Sequence, residues 1–186
     1  MDEFTEILKF VSSYLNDHGI EYVIVGGVAV MYHGVPRTTV DIDILLQIDD
    51  AEIDSFSDFL NSKGFNASAD DMRSALIEGS YSTIFYMDTL LRLDLQGVIS
   101  TFDRLTIERA VAIEFLEVSI KLGTAEDTIV NKVLFQGEQD IRDAHGIFQI
   151  NRERLDMSYI ESTCKMLGIS DKWNSFLSES EKWTLK

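Results

Sequence analysis

The sequence predicts an α+β fold: a small mixed β-sheet flanked by helices, with a helical extension at its C-terminal end. Short β-type runs alternate with helical patterns up to about residue 120, and from Thr124 onward the pattern is helical alone. A chain of 186 residues that is 45% hydrophobic has enough apolar side chains to bury a core. We therefore expect a core domain over residues 1–120 and a helical part packed on it over residues 121–186.

The predicted elements of the first half alternate between helix and strand. Residues 4–15 have apolar side chains at helical spacing, and this helix ends near Gly19, a C-cap candidate. Three segments follow: the short strand IEYVIVGG, the short buried helix VAVMYHG and the central strand TVDIDILLQI. Two helices come next, one opening at the acidic pair Asp49 and Asp50 and one capped by Ser68.

The second half begins with strands and ends with helices. STIFYMD and LLRLDLQGV are β-type runs joined by a tight connection around Asp88, and VAIEFLEVSIKLGT contains one or two more strands. Thr124, with Asp127 three residues later, is close to a capping box and opens the helical part. The helical segments that follow it are GEQDIRDAHGIFQI, LDMSYIESTCKMLG and DKWNSFLSESEKW.

Charge and cysteine content exclude several classes of protein. The net charge is −16, so the surface repels phosphates, and we expect no unaided tight binding to duplex DNA or to an anionic membrane. A nucleotide is not excluded, because a metal ion can neutralise its charge locally. The single cysteine, Cys164, excludes an intrachain disulfide and a cysteine-based zinc site. The acidic N-terminus and the glycine-split apolar run favour a soluble cytoplasmic protein.

Three carboxylates lie in strand-like runs. Asp41 and Asp43 are two residues apart on one predicted strand, so their side chains share a face and repel each other unless a cation lies between them. Asp94 lies in the apolar run LLRLDLQGV. If that strand neighbours the first, the three carboxylates converge and can hold two metal ions roughly 3.5–4 Å apart, as in phosphoryl displacement. Magnesium suits such a site, since it binds carboxylates together with substrate phosphates.

Gly26, Gly27 and Arg37 precede the aspartates. The two glycines end a strand and open a short helix, and without Cβ atoms they would let a phosphate approach the backbone and the free N–H groups. The planar guanidinium of Arg37 could reach the same phosphate. Each feature has an ordinary structural alternative: a solvated strand end, a strand-to-helix turn, and a surface arginine.

The motif resembles a known family. VGG, thirteen residues and then DID is similar to the signature of the DNA polymerase β-type nucleotidyltransferase superfamily. That signature is a Gly-Gly or Gly-Ser pair, a spacer and D-x-D, with a third acidic residue on a later strand. The form RTTVDID is most similar to the AbiE-toxin-like (AbiEii) branch. Relatives in that branch also have a lysine and a later aspartate after the core, here Lys132 and Asp140, or alternatively Asp143.

The resemblance implies Mg²⁺-dependent transfer of a nucleoside monophosphate from an NTP to an acceptor hydroxyl on RNA, protein or a small molecule. It also implies a division of roles. Asp41 and Asp43 would hold two Mg²⁺ ions together with Asp94, which would help to activate the hydroxyl. Gly26, Gly27, Arg37, Lys132 and Asp140 would bind the nucleotide.

Two other functions stay open from the sequence. The chain could be a nucleotide-binding module without turnover, such as one half of a toxin–antitoxin pair, with an antitoxin or a second copy of itself as partner. It could also be a structural partner protein whose carboxylates are solvated. A local patch of Arg37, Arg92, Arg104, Lys132 and Arg142 could bind RNA despite the negative total charge.

Overall fold

The computed structural model describes residues 3–181 and has the predicted α+β architecture, with one mixed six-stranded sheet, flanking helices and a C-terminal helical region. The strands are β1 Glu21–Ile24, β2 Asp41–Gln47, β3 Tyr81–Phe85, β4 Arg92–Gly97, β5 Val111–Phe115 and β6 Val118–Leu122. The helices are α1 Glu3–Asp17, α2 Gly26–Tyr32, α3 Asp50–Ser62, α4 Ala69–Glu78, α5 Thr101–Glu108, α6 Ala125–Phe135, α7 Glu138–Asn151, α8 Met157–Met166 and α9 Ser170–Ser180.

The sheet has the strand order β3-β4-β2-β1-β6-β5. The pairs β2–β4 and β1–β6 are parallel, and the other neighbouring pairs are antiparallel. Along β2 the buried side chains of Ile42 and Ile44 alternate with the partly exposed Asp41 and Asp43. Because strand side chains alternate between faces, the apolar residues face the core and both aspartates face the other way.

Two apolar clusters hold the chain together. The first joins the sheet to α1, α3 and α4, and the second is built mainly from α6 to α9. Helix α2 contributes Val28 and Ala29 to the first cluster and Val30 to the second, so it links the two.

The predicted domain boundary at residue 120 falls inside β6 and stays a prediction. Residues 182–186 of the predicted helical part lie outside the described residues.

Within residues 3–181 the structure contains one helix, α5, that was not predicted from the sequence. It opens with a capping box in which the Ser100 hydroxyl accepts from the Asp103 backbone N–H at 3.0 Å and the Asp103 carboxylate accepts from the Ser100 N–H at 2.7 Å. The serine followed three residues later by an acidic residue is the local signal that could have identified it.

The helices are short for a membrane protein. The longest within residues 3–181, α1, has 15 residues, whereas a transmembrane helix needs about 20 predominantly apolar residues. No helix in this part of the chain combines the length and apolarity that crossing a bilayer requires.

Candidate active site

Asp41, Asp43 and Asp94 converge on one face of the sheet. In the parallel pair β2–β4, Asp41 is the register partner of Arg92 and Asp43 is the register partner of Asp94. Side chains at directly paired positions point to the same face, so the three carboxylates are brought together. One ligand oxygen from each lies within 4.8 Å of the other two. The convergence that the sequence analysis made conditional on neighbouring strands is therefore present.

Two of the three carboxylates are held by a threonine and a shared arginine. Thr39 donates its hydroxyl to Asp41 Oδ1, and Thr83 donates to Asp94 Oδ1 at 2.6 Å. Arg92 donates to the second oxygen of each, through Nη2 to Asp41 at 2.8 Å and through Nε to Asp94 at 3.3 Å. These four hydrogen bonds fix the orientation of both carboxylates. Arg92 was predicted only as part of a basic patch, although its position two residues before Asp94 puts it on the same face of the strand.

The third carboxylate, Asp43, lies deeper. Burial, followed by the charges of Asp41 and Asp94, raises its pKa from an ordinary 3.8 to about 6. A hydrogen bond from the Gly27 backbone and the charge of Lys132 act in the opposite direction. A buried carboxyl group with a raised pKa, close to two other carboxylates, is typical of a functional site that binds a cation.

Gly26 and Gly27 are required by the packing around the carboxylates. Gly26 has φ +58°, and a Cβ atom there would overlap the Asp43 carboxylate. A Cβ atom on Gly27 would lie 2.7 Å from Thr39 Oγ1. The pair therefore gives room to a carboxylate and a hydroxyl of the protein itself, and its predicted role in phosphate binding stays a prediction.

All eight predicted site residues line one cavity of about 330 Å³. The lining comes from the start of α2, the loop that carries Arg37, strands β2, β3 and β4, and helices α6 and α7. The residues are Gly26, Gly27, Arg37, Asp41, Asp43, Asp94, Lys132 and Asp140. The sequence analysis missed five further polar or aromatic residues of the lining, which are Tyr81, Gln96, Asn131, Phe135 and Gln139. Alternation could have indicated Gln96, which lies two residues after Asp94 on β4, whereas Tyr81 lies beside it only through the β3–β4 register. The spacing of four between Asn131 and Phe135 could have indicated that they share a face of α6.

Both basic residues of the cavity are paired with aspartates of α7. Lys132 Nζ lies 2.7 Å from Asp140 Oδ1, and 12% of its side chain is exposed. Arg37 Nη1 lies 2.7 Å from Asp143 Oδ2, and Gln139 donates to the other oxygen of Asp143 at 2.7 Å. Asp143 is fully buried. Of the two aspartates that the sequence left open beside Lys132, Asp140 therefore pairs with the lysine and Asp143 supports Arg37.

The proposed RNA-binding patch is divided among separate ion pairs. Arg92 is engaged by the carboxylates, and Arg142 pairs with Glu138 at 3.2 Å within α7. Lys132 and Arg37 have aspartate partners of their own. Four of the five patch residues are thus bonded to acidic side chains, which reduces the positive charge they offer to RNA.

The sequence matches the model of one protein family over nearly its whole length. The profile of a protein family described as "Nucleotidyltransferase of unknown function (DUF6036)" matches residues 2–183. No curated protein matches the chain significantly in sequence.

Two solved structures share the fold. An antigenic nucleotidyltransferase-like protein from Paracoccidioides brasiliensis is similar with a TM-score of 0.56 and 18% identity, over 95% of this chain and 93% of that one. The solution structure of the antibiotic-resistance factor ANT(2'')-Ia is similar with a TM-score of 0.53 and 14% identity, over 97% of this chain and 95% of that one. At such identities the likeness concerns the fold, and the family match extends over nearly the whole sequence. The chain belongs to the DUF6036 family of nucleotidyltransferases of unknown function.

Proposed function

We propose that this protein is a Mg²⁺-dependent nucleotidyltransferase that moves a nucleoside monophosphate from an NTP to the hydroxyl of an acceptor. The observation that carries the proposal is the meeting of Asp41, Asp43 and Asp94 in a cavity that also contains the Gly26–Gly27 pair and Lys132. Family membership supports the same class of reaction.

The donor set fits Mg²⁺. Carboxylate oxygens are the hard ligands that this ion prefers, and three of them lie within 4.8 Å of one another. The guanidinium of Arg92 bridges Asp41 and Asp94, which indicates that this place favours positive charge. We assign the three aspartates as ligands of two Mg²⁺ ions, which when bound would neutralise charge on the triphosphate and on the attacking and leaving oxygens.

The side chains of the cavity divide the remaining work. Asp94 takes up the proton of the acceptor hydroxyl, whose oxygen bonds to the α-phosphorus of the NTP while the bond from that phosphorus to pyrophosphate breaks. Lys132 and Arg37 bind the triphosphate oxygens, and Asp140 orients Lys132 beside the nucleotide. The backbone at Gly26–Gly27 lets the phosphates come close to the carboxylates.

The reaction can be tested without knowing the acceptor. Purified protein is incubated with Mg²⁺, each of four α-labelled NTPs and mixtures of RNA, protein and hydroxyl-bearing small molecules. We expect release of pyrophosphate and a labelled product. The variants D41N, D43N and D94N should lose the activity by about 100-fold or more, because each removes a ligand charge. D58N, which changes an exposed aspartate of α3, is the matched control. Absence of label and pyrophosphate with every NTP would contradict the proposal.

A second candidate function is a nucleotide-binding module without turnover. It is favoured by the four hydrogen bonds that engage both oxygens of Asp41 and both oxygens of Asp94 within the protein itself. In that case NTP would raise the melting temperature through binding to the folded state while no product forms.

Several finer assignments stay predictions. They are the AbiE-toxin-like branch, a toxin–antitoxin role, an antitoxin partner or homodimer, the acceptor and a cytoplasmic location.

A further inference from the structure

Arg92 bonds two of the three carboxylates that we assign as metal ligands. Its guanidinium bridges Asp41 on β2 and Asp94 on its own strand, at 2.8 and 3.3 Å. The side chain is 29% exposed, so the bridge is partly protected from solvent. A planar guanidinium has several donors in a fixed fork and can bond two carboxylates at once, which a lysine ammonium does less well.

Both bridged carboxylates have all their oxygens engaged. Asp41 accepts from Thr39 at one oxygen and from Arg92 at the other, and Asp94 accepts from Thr83 and Arg92 in the same way. A hydroxyl can stay bonded to a carboxylate whose other oxygen binds a metal, since the contacts use different oxygens. The guanidinium uses the remaining oxygens and adds a positive charge that repels an incoming cation. The two threonine bonds are thus compatible with metal binding, and the Arg92 bonds compete with it.

The arrangement has a physical reason in the metal-free protein. Three carboxylates this close would destabilise the fold if nothing offset their charge. Arg92 is the register partner of Asp41, so the strand pairing itself brings the neutralising charge to the carboxylates. We propose that Arg92 is an internal cation that stabilises the metal-free carboxylate site and must leave Asp41 and Asp94 before a divalent ion binds there. The inference rests on the proposed function only in taking these carboxylates as the metal site.

The direct test is a calorimetric titration of the metal-free protein with Mn²⁺ and with Mg²⁺, in the absence of nucleotide. The variant R92Q removes the competing charge, and we expect it to bind the ion about tenfold more tightly than the wild-type protein. R142Q makes the same change in net charge at the exposed Arg142–Glu138 pair and should leave the affinity unchanged. Equal or weaker metal binding by R92Q would overturn the proposal.

A second measurement does not depend on the variant being folded. In wild-type protein, the Nε–H signal of Arg92 in ¹⁵N NMR spectra should shift when Mg²⁺ saturates the site, because the bond to Asp94 is lost. If the signal is unchanged at saturation, Arg92 stays in place and the proposal is wrong, while the metal site and the proposed function stand. If neither wild-type protein nor R92Q binds either ion even when a non-hydrolysable NTP analogue is present, the metal site itself is refuted, and the proposed function with it.

Discussion

Asp43 of β2 and Asp94 of β4 are direct partners across a parallel strand pair, and their carboxylates share one face of the sheet. Like charges at directly paired positions destabilise a sheet unless a proton or a cation offsets them. Two features of the chain itself reduce this repulsion. Burial, followed by the charges of Asp41 and Asp94, raises the pKa of Asp43 to about 6, so that it holds a proton more readily, and Arg92 bridges Asp94 to Asp41. Under the proposed function, bound Mg²⁺ would offset the same repulsion between the carboxylates.

The raised pKa of Asp43 predicts a pH-dependent cost in stability. Because the pKa of Asp43 is about 6 in the folded protein and near 3.8 in the unfolded chain, the folded state binds this proton more tightly. Stability therefore falls as the pH rises from about 4 to about 6, and the full cost is present above that range. In EDTA, we expect D43N to be more stable than the wild-type protein at pH 8 by on the order of 2 kcal/mol, and equally stable at pH 4. Urea unfolding across this range measures it. A difference that does not change with pH would contradict the account.

The close approach of Gly26 to Asp43 predicts that substitution of Gly26 costs more stability than its backbone angle alone would explain. Gly26→Ala forces a side chain into the left-handed region, which costs roughly 1–2 kcal/mol, and also makes it overlap the Asp43 carboxylate. Gly168→Ala is the matched control, since Gly168 has φ +69° but nothing within 4 Å of an added Cβ. Urea unfolding should show a clearly larger loss of stability for G26A. Equal losses would mean that Asp43 moves aside at no cost.

The position of Lys132 predicts a defect in nucleotide binding. K132Q removes the cation that faces Asp43 and pairs with Asp140, and we expect about tenfold weaker binding of an α,β-methylene NTP analogue in calorimetry. K165Q, which alters an exposed lysine of α8, should bind the analogue like the wild-type protein. If K132Q also binds normally, Lys132 serves only its ion pair with Asp140.

The Arg37–Asp143 pair predicts a strong stability effect at the edge of the cavity. Asp143 is fully buried, and D143N leaves the Arg37 guanidinium charged but without its carboxylate partner, which should cost about 2–3 kcal/mol of unfolding free energy. E138Q, which breaks the exposed pair with Arg142, should cost no more than about 0.5 kcal/mol. A double-mutant cycle of D143N with R37Q tests the origin of the loss, because strict additivity would show that the pair is not its cause.

The sequence predicted local features well because local chemistry determines them. The Ser68 and Thr124 caps each accept from the backbone N–H three residues on, and the helices begin where these caps predict. Alternation in DIDILLQ was enough to put Asp41 and Asp43 on one face. Their meeting with Asp94 was only conditional, because β2 and β4 are separated along the chain by two helices and a strand, and no local pattern indicates that they pair in parallel.

Contacts between distant residues account for what the sequence analysis missed. The bridge from Arg92 to Asp41 spans 51 positions and follows from strand register, which cannot be derived from one segment. The contact of Gly26 with Asp43 likewise depends on how α2 meets β2. The sequence therefore indicated a phosphate site or a strand-to-helix turn at the glycine pair, but not the space that Gly26 leaves for the protein's own carboxylate.

The central claim is that Asp41, Asp43 and Asp94 together bind divalent ions in the cavity that receives the triphosphate. The most direct measurement is anomalous diffraction from crystals soaked with Mn²⁺ and a non-hydrolysable NTP. The account predicts manganese peaks at ligand distance from all three carboxylates, with the triphosphate between them and Lys132. Triphosphate bound elsewhere, or no manganese at the three aspartates, would contradict it.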